Sequence, residues 1–111
     1  MRSSISGGNS AGEYKVGGLC VDLERRKVIV DGRDIHFTQN EYKIISLLAM
    51  HAGKVLTYEY LIKSIWGPNG TGDNQILRVN MANIRRKIET NPADPRYVFT
   101  EMGVGYRMAE E

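Results

Sequence analysis

The stretch with the greatest capacity for chemistry is residues 73–88, which read DNQILRVNMANIRRKI. It carries cationic, amide and small side chains, and Glu89 is the only acid between Asn74 and Thr90. Arginine binds phosphate and the edge of guanine, while the amides of asparagine and glutamine can pair with adenine. A small residue such as Ala82 allows a backbone to approach a groove closely. These residue types are typical of a surface that binds nucleic acid.

The spacing of the apolar residues predicts that this stretch is a helix with one buried side. Apolar residues recur at i, i+4, i+7 and i+11, which places on one stripe Leu77, Met81, Ile84 and Ile88. The opposite face and its flanks hold the candidate DNA contacts, which are Gln75, Arg78, Val79, Asn80, Asn83, Arg85 and Arg86. For an arbitrary helix, a solvated cationic face is the commoner explanation, so the interpretation depends on the rest of the chain.

Length and composition indicate one globular domain. The chain has 111 residues, of which 41% are hydrophobic and 25% are charged, and a chain of this size can form a core without disulfides or a metal. The net charge is only +2, so the location of the charges matters more than their sum. Acidic residues cluster at 22–24, 31–34 and 110–111, which predicts a basic face on a nearly neutral body.

The chain lacks sequence signals for export or for a membrane. Its single cysteine, Cys20, cannot form an intrachain disulfide, and no apolar run is long enough to span a bilayer or to act as a signal peptide. We therefore expect a soluble, cytoplasmic protein with no membrane partner.

The first residues differ in composition from the rest of the chain. Residues 1–13 are rich in serine and glycine, and they are predicted to be a flexible linker or an expression remnant. Residues 14–109 are predicted to form the domain. A linker at the start leads to the hypothesis that this chain is the C-terminal piece of a longer protein.

Four short extended segments at the start of the domain predict a small antiparallel sheet. Turn signals such as Asp31-Gly32 separate them. The segments are Tyr14–Val16, Leu19–Asp22, Lys27–Val30 and Ile35–Phe37.

Helical periodicity begins after these segments. The first helix starts at Thr38, where Glu41 completes a capping box, and it is predicted to end near His51. The second helix starts at its cap Thr57 and ends near Trp66. A loop rich in turn-forming residues then leads to the basic stretch.

The third helix covers about residues 74–90, with Asp73 as its expected cap and Asn91-Pro92 as its end. A hairpin follows, formed by Tyr97–Thr100 and Tyr106–Met108 around a glycine-bearing turn. This order predicts an α+β fold, a winged helix-turn-helix with an N-terminal four-stranded antiparallel sheet, three helices and a C-terminal β-hairpin wing. In such a fold the third helix enters the major groove of DNA.

The hairpin offers little charge for a second groove contact. Met102 stands just before the first glycine of the turn, where an arginine would suit a narrow minor groove. Met102 and Arg107 are the candidate wing contacts, although Arg107 is better explained as the partner of a carboxylate on the core side.

Motifs along nearly all of residues 14–108 resemble the DNA-binding output domains of OmpR/PhoB-type response regulators. They are Leu19-x-Val21-Asp22, Thr38-x-x-Glu41-Tyr42, Gly53-Lys54-Val55-Leu56-Thr57, Ile65-Trp66-Gly67, Leu77-Arg78-Val79, Ile84-Arg85-Arg86-Lys87-Ile88 and Gly103-Val104-Gly105-Tyr106-Arg107. Each motif alone is weak, and their order together is specific. Three further segments resemble the KdpE branch, which regulates a potassium-uptake operon: Trp66-Gly67-Pro68-Asn69, Leu77-Arg78-Val79-x-Met81, and Asn91–Arg96 with Thr100–Gly103.

The resemblance implies an output domain of a two-component system that binds double-stranded DNA. A separate N-terminal receiver domain would be phosphorylated, and two output domains would then occupy direct-repeat half-sites, while the isolated domain would be monomeric. The resemblance also implies that Arg78 and Arg85 contact DNA. It gives Trp66 a second role, in which the indole N–H donates to a phosphate while the ring packs at the end of the second helix as part of the core. It implies that RNA polymerase contacts the loop that holds Pro68, Asn69, Gly70 and Thr71.

DNA binding has two alternatives, an enzyme and a protein–protein interaction module. An enzyme is disfavoured because His36 and His51 lie in no catalytic or metal-binding motif and no dinucleotide fingerprint is present. We therefore expect no catalytic residues, no metal and no cofactor. A winged-helix protein–protein interaction module is the stronger alternative, since a fold alone does not fix a function. Such an adaptor would carry acidic or large apolar residues on the outer face of the third helix.

Overall fold

The computed structural model describes residues 12–67 and 74–110. The predicted cap Asp73 and most of the predicted linker therefore lie outside the described residues. The described chain forms the strands β1 (Glu13–Val16), β2 (Leu19–Asp22), β3 (Lys27–Val30), β4 (Arg33–Ile35), β5 (Val55–Thr57), β6 (Val98–Glu101) and β7 (Gly105–Met108). Its helices are α1 (Gln39–Met50), α2 (Tyr58–Trp66) and α3 (Gln75–Ile88).

The N-terminal sheet is antiparallel, with the strand order β1-β2-β3-β4. The predicted last strand, Ile35–Phe37, is wrong in its position, because β4 begins at Arg33. Asp31 and Gly32 both have positive φ, of 51° and 82°, and they close a two-residue turn that pairs Val30 directly with Arg33. Pairing therefore starts immediately after the turn.

The helix starts follow from local capping. The predicted box is confirmed, since Thr38 Oγ1 accepts from the Glu41 N–H and Glu41 Oε1 accepts from the Thr38 N–H. Thr57 caps α2 in the predicted way, accepting from the Tyr60 N–H. In α3 the N-cap position falls on Asn74, whose side chain makes no capping hydrogen bond.

The hairpin belongs to a three-stranded sheet, in the order β5-β7-β6. The strand β5, which precedes α2, pairs with β7, so that Leu56 lies opposite Tyr106 and Thr57 opposite Gly105. The pairing requires a glycine, because a Cβ on Gly105 would lie 1.9 Å from the carbonyl oxygen of Leu56. The wing is thus anchored to the chain segment that enters α2.

One hydrophobic core joins both sheets and the helices. The residues that are no more than 1% exposed include Leu19, Val21, Val28, Ile44, Ile45, Leu48, Leu61, Leu77, Met81, Ile84, Val98 and Met108. Because the predicted stripe of α3 supplies Leu77, Met81 and Ile84 to this set, the opposite side of α3 faces away from the core.

Candidate nucleic-acid interface

The outer face of α3 lies opposite the buried stripe and faces solvent. Gln75, Arg78, Val79 and Arg86 are exposed, and Asn80, Asn83 and Arg85 are partly buried. Val79 is 50% exposed and Ile76 is 46% exposed, so apolar contact area lies beside the cations. This mixture of a cation, amides and small apolar groups fits the edges of base pairs in a major groove.

The two asparagines of this face are oriented by neighbours on α3. Asn80 Nδ2 donates to the carbonyl oxygen of Ile76 at 2.8 Å, which leaves its Oδ1 as an acceptor. Asn83 Oδ1 accepts from Arg86 Nη2 at 2.9 Å, which leaves its NH₂ group as a donor. The face therefore presents donors and acceptors in fixed positions.

Arg85 is directed at the hairpin instead of at solvent. Its Nε and Nη2 donate to the carbonyl oxygen of Val98 at 3.2 and 3.0 Å, and Nη2 also donates to Thr100 Oγ1 at 2.6 Å. Its guanidinium carbon lies 5.6 Å from the centre of the Tyr106 ring. Burial lowers the pKa of Arg85, against the opposing effects of Tyr106 and Glu89. These contacts join α3 to the wing.

Lys87 is also paired within the protein. Its Nζ lies 2.6 Å from Oε1 of Glu41 on α1 and 5.4 Å from the centre of the Phe37 ring. The positive charge on the outer face of α3 is consequently carried by Arg78 and Arg86. The face therefore carries fewer cations than the sequence indicates.

The tip of the wing is apolar. Met102 is 87% exposed and Val104 is 50% exposed. Arg107 Nε donates to Glu101 Oε2 at 3.0 Å, and its guanidinium carbon lies 4.8 Å from the centre of the Phe99 ring. Arg107 is paired with a carboxylate as expected, but the expected core-side position of that carboxylate is wrong, because Glu101 lies on the hairpin itself and its side chain is 38% exposed.

The remaining candidates lie between α2 and α3. Trp66 is partly buried and packs against the core, which agrees with its predicted structural part, while its contact with phosphate stays a prediction. Gly67 ends α2 with a φ of 84°. The candidate polymerase-facing residues, Pro68, Asn69, Gly70 and Thr71, lie outside the described residues.

This geometry agrees with what related sequences show. Residues 32–108 match the family described as "Transcriptional regulatory protein, C terminal". The chain belongs to this family. It is a winged-helix DNA-binding domain of the OmpR/PhoB type.

Two relatives place this winged-helix domain near KdpE proteins. The transcriptional regulatory protein KdpE of Mycobacterium tuberculosis (strain ATCC 25618 / H37Rv) is 41% identical over 87 residues, covering 78% of this chain and 38% of that protein. The KDP operon transcriptional regulatory protein KdpE of Escherichia coli (strain K12) is 39% identical over 93 residues, covering 84% of this chain and 41% of that protein. The domain thus spans about two-fifths of the length of these curated relatives.

Solved structures share the fold of the domain. Response regulator DrrB of Thermotoga maritima, described as an OmpR/PhoB homologue, has a TM-score of 0.82 at 34% identity, over 89% of this chain and 45% of that one. The DNA-binding domain of RstA from Klebsiella pneumoniae, solved in complex with the RstA box, has a TM-score of 0.80 at 24% identity, over 89% of this chain and 98% of that one.

Sequence reasoning missed the residues that hold the wing of this domain. Glu89 is 6% exposed and accepts hydrogen bonds from the backbone N–H groups of Arg96, Tyr97 and Val98. On the other side of the hairpin, the Tyr58 N–H donates to the carbonyl oxygen of Val104 at 3.2 Å. The signal in the sequence was the isolated position of Glu89 at the end of a basic helix.

Tyr106 fills the space between α2, α3 and the wing. Its ring lies edge-on to that of Tyr58, with 5.5 Å between the centroids. Burial raises the pKa of Tyr106, and so does Tyr58, while Arg85 and Arg78 act in the opposite direction.

Among residues 12–67 and 74–110, no group of three or more His, Cys, Asp or Glu side chains is placed to hold a metal ion. In the same part of the chain, no helix is both long and apolar enough to cross a membrane.

Proposed function

We propose that this domain is the sequence-specific output domain of a two-component response regulator and that α3 reads the major groove of double-stranded DNA. The observation that carries the proposal is the outer face of α3, where Arg78, Val79 and the two oriented asparagines stand on a helix whose other side is fixed in the core. A rigid helix presents such groups without further loss of conformational entropy on binding.

Each residue of the face has a distinct task in this proposal. Arg78 binds a guanine edge or a phosphate, and Val79 contacts a thymine methyl. Asn80 offers an acceptor and Asn83 offers donors to base edges or phosphates. Arg86 neutralises phosphate. Gln75, at the first turn of α3, and Trp66, at the end of α2, complete the proposed contacts.

The wider setting is also proposed. We infer a receiver domain N-terminal to this chain, because the chain spans 38% and 41% of the two KdpE relatives. The target is a potassium-uptake operon, the binding sites are direct repeats, and the loop of residues 68–71 contacts RNA polymerase. The isolated domain is monomeric, acts in the cytoplasm and catalyses no reaction.

Selection from a random duplex pool tests the central proposal. The chain of residues 1–111 is used to enrich duplexes, and the enriched sequence is titrated at several salt concentrations. Enrichment of a defined motif is expected, with affinity falling by about 0.9 log unit per phosphate contact for each tenfold rise in salt. Arg78→Ala should weaken binding by roughly 1–3 kcal/mol.

The main alternative is a winged-helix module that binds protein. It predicts no enriched motif and an affinity for duplex that hardly responds to salt. The exposed cation Arg78 and the two oriented amides of α3 favour DNA, although Ile76 and Val79 add exposed apolar area that an adaptor helix would also present. Lys63→Gln serves as a control, since this exposed lysine lies on α2 and pairs with Glu59 at 2.8 Å.

A further inference from the structure

We propose that Arg85 and Glu89 lock α3 to the wing strand β6, so that helix and wing bind DNA as one rigid unit and Arg85 reads no base. The proposal rests on the proposed function for its consequence in DNA binding, while the lock itself is a property of the free domain. Arg85 lies in the last turn of α3, and Glu89 is the C-cap residue of that helix, whose N–H donates to the Arg85 carbonyl oxygen at 2.8 Å.

The strand β6 has one unpaired edge. Within residues 12–67 and 74–110 it is an outer strand of the sheet β5-β7-β6 and pairs with β7 alone. In an antiparallel pair, the backbone groups of alternate residues point away from the partner strand. The carbonyl oxygen of Tyr97 accepts from the Ala109 N–H at the β7 end, so both backbone groups of Val98 point outward. An outer edge of this kind needs partners for its N–H and C=O groups.

Arg85 of α3 and Glu89 at its C-cap supply both partners of Val98. Glu89 Oε2 accepts from the Val98 N–H at 3.0 Å, and also from the Tyr97 N–H at 3.0 Å. Arg85 donates to the Val98 carbonyl oxygen through Nε at 3.2 Å and Nη2 at 3.0 Å. The helix thus acts toward Val98 as a neighbouring strand would.

The chemistry of the two side chains makes the lock stiff. Glu89 is a buried carboxylate, and its hydrogen bonds from backbone N–H groups compensate for the loss of water. Arg85 reaches a carbonyl and the Thr100 hydroxyl at once through its planar fork, which the single ammonium of a lysine cannot reproduce. The Tyr58 N–H holds the far end of the hairpin at Val104.

The lock limits which residues can read sequence. The guanidinium of Arg85 is committed to Val98 and Thr100, while Arg78 is exposed on the adjacent part of the helix. Discrimination between bases then falls to Arg78, Val79, Asn80 and Asn83. Arg85 acts as a positioning residue, because it fixes the angle between α3 and the wing. That angle must be correct if the helix and the wing are to contact the same duplex.

The first test uses the free domain and needs no DNA. Backbone residual dipolar couplings are measured for α3 and for the β6–β7 hairpin in the wild type, in Arg85→Lys and in Arg86→Lys. We expect one common orientation in the wild type and in the matched control Arg86→Lys, and a reoriented or more mobile hairpin in Arg85→Lys. Couplings of Arg85→Lys that equal those of the wild type would overturn the lock.

The second test uses the duplex that the wild type enriches. Arg85→Lys should bind it roughly tenfold more weakly, as expected for the loss of one charge-assisted hydrogen bond. Because the lysine keeps the charge and no base is read, the salt slope and the preference at every base pair should stay those of the wild type. A preference lost at one base pair would show instead that Arg85 reads that base, and would overturn the proposal.

A milder variant protects the tests against misfolding. Thr100→Val removes only the hydroxyl that accepts from Arg85 on an exposed strand position. It should shift the hairpin couplings in the same direction as Arg85→Lys, and by less. A wild-type domain that enriches no duplex would refute the proposed function alone, because the dipolar couplings still decide whether the lock exists.

Discussion

The carboxylate of Glu41 lies 2.6 Å from the ammonium group of Lys87 and joins the first turn of α1 to the last turn of α3. The same Oε1 atom accepts from the Thr38 N–H at 3.1 Å, so one oxygen both caps α1 and holds α3. The Glu41 side chain is 4% exposed and that of Lys87 is 34% exposed. Because the pair is largely shielded from solvent, removal of one partner should lower the free energy of unfolding of the domain.

The first prediction concerns the pH dependence of stability. Burial alone would raise the pKa of Glu41, but the hydrogen bonds from Lys87 and Thr38 and the charge of Lys87 lower it below the ordinary value of 4.5. A lowered pKa in the folded state contributes stability that is fully present above pH 4.5 and is lost as the pH falls through the folded value. Urea unfolding from about pH 6 down to about pH 3 should therefore show a steeper loss for the wild type than for Glu41→Gln.

Glu59→Gln is the matched control for this measurement. The hydrogen bond from Lys63 lowers the pKa of Glu59, and so does the charge of Lys63. The pair is exposed, however, and solvent screens it. Its removal should leave the pH profile close to that of the wild type. Parallel profiles for the wild type and Glu41→Gln would show that the buried pair contributes nothing that depends on pH.

The second prediction separates the cations of α3. Lys87→Met should destabilise the fold by about 1–3 kcal/mol, because it leaves the carboxylate of Glu41 buried without its partner. It should leave the salt dependence of DNA binding unchanged, since Lys87 is held by α1. Arg86→Met should do the reverse, with stability nearly unchanged and a salt slope reduced by about 0.9.

Isothermal binding titrations at several salt concentrations, on duplex bound to folded protein, measure both slopes. Equal slopes for the two variants would contradict the assignment of Arg86 to phosphate and of Lys87 to the protein interior.

The third prediction concerns the attachment of the wing. A Cβ added to Gly105 would lie 1.9 Å from the Leu56 carbonyl oxygen and 2.8 Å from the Thr57 Cα, and both are backbone atoms that cannot turn aside. Gly105→Ala should therefore separate β5 from β7 and lower the free energy of unfolding by about 3 kcal/mol or more.

Gly103→Ala provides the comparison for Gly105→Ala. A Cβ added to Gly103 would meet no other atom of the described residues within 4 Å, and the φ of Gly103 is 75°, so the substitution should cost only about 1 kcal/mol from its backbone conformation. Denaturant titration measures both variants, and similar losses would contradict the close approach of β5 to Gly105.

The fourth prediction concerns the tip of the wing. Met102 is 87% exposed and carries no charge, whereas the nearby Arg107 is held by Glu101. If the wing lies against DNA, Met102→Arg should tighten binding and steepen the salt slope by about 0.9. Met102→Gln controls for side-chain length without charge. A slope that stays at the wild-type value would show that the tip does not approach phosphate.

The sequence alone determined the elements that depend on neighbours along the chain. The capping box of Thr38 and Glu41 and the buried stripe of α3 were predicted because their partners lie within a few residues. The family followed from the same local order of motifs. The face of α3 that points outward was fixed by the stripe alone.

The tertiary structure decided where the flanking charges go. Arg85 and Lys87 lie on α3 beside Arg86, and helical periodicity does not distinguish a flank that meets solvent from one that meets the protein. Their partners Val98 and Glu41 stand 13 and 46 residues away in sequence, and β5 likewise finds its partner only across the folded chain. Such contacts depend on how the elements pack, and a local sequence pattern does not predict that packing. Only the folded domain therefore shows that Arg85 contacts the wing.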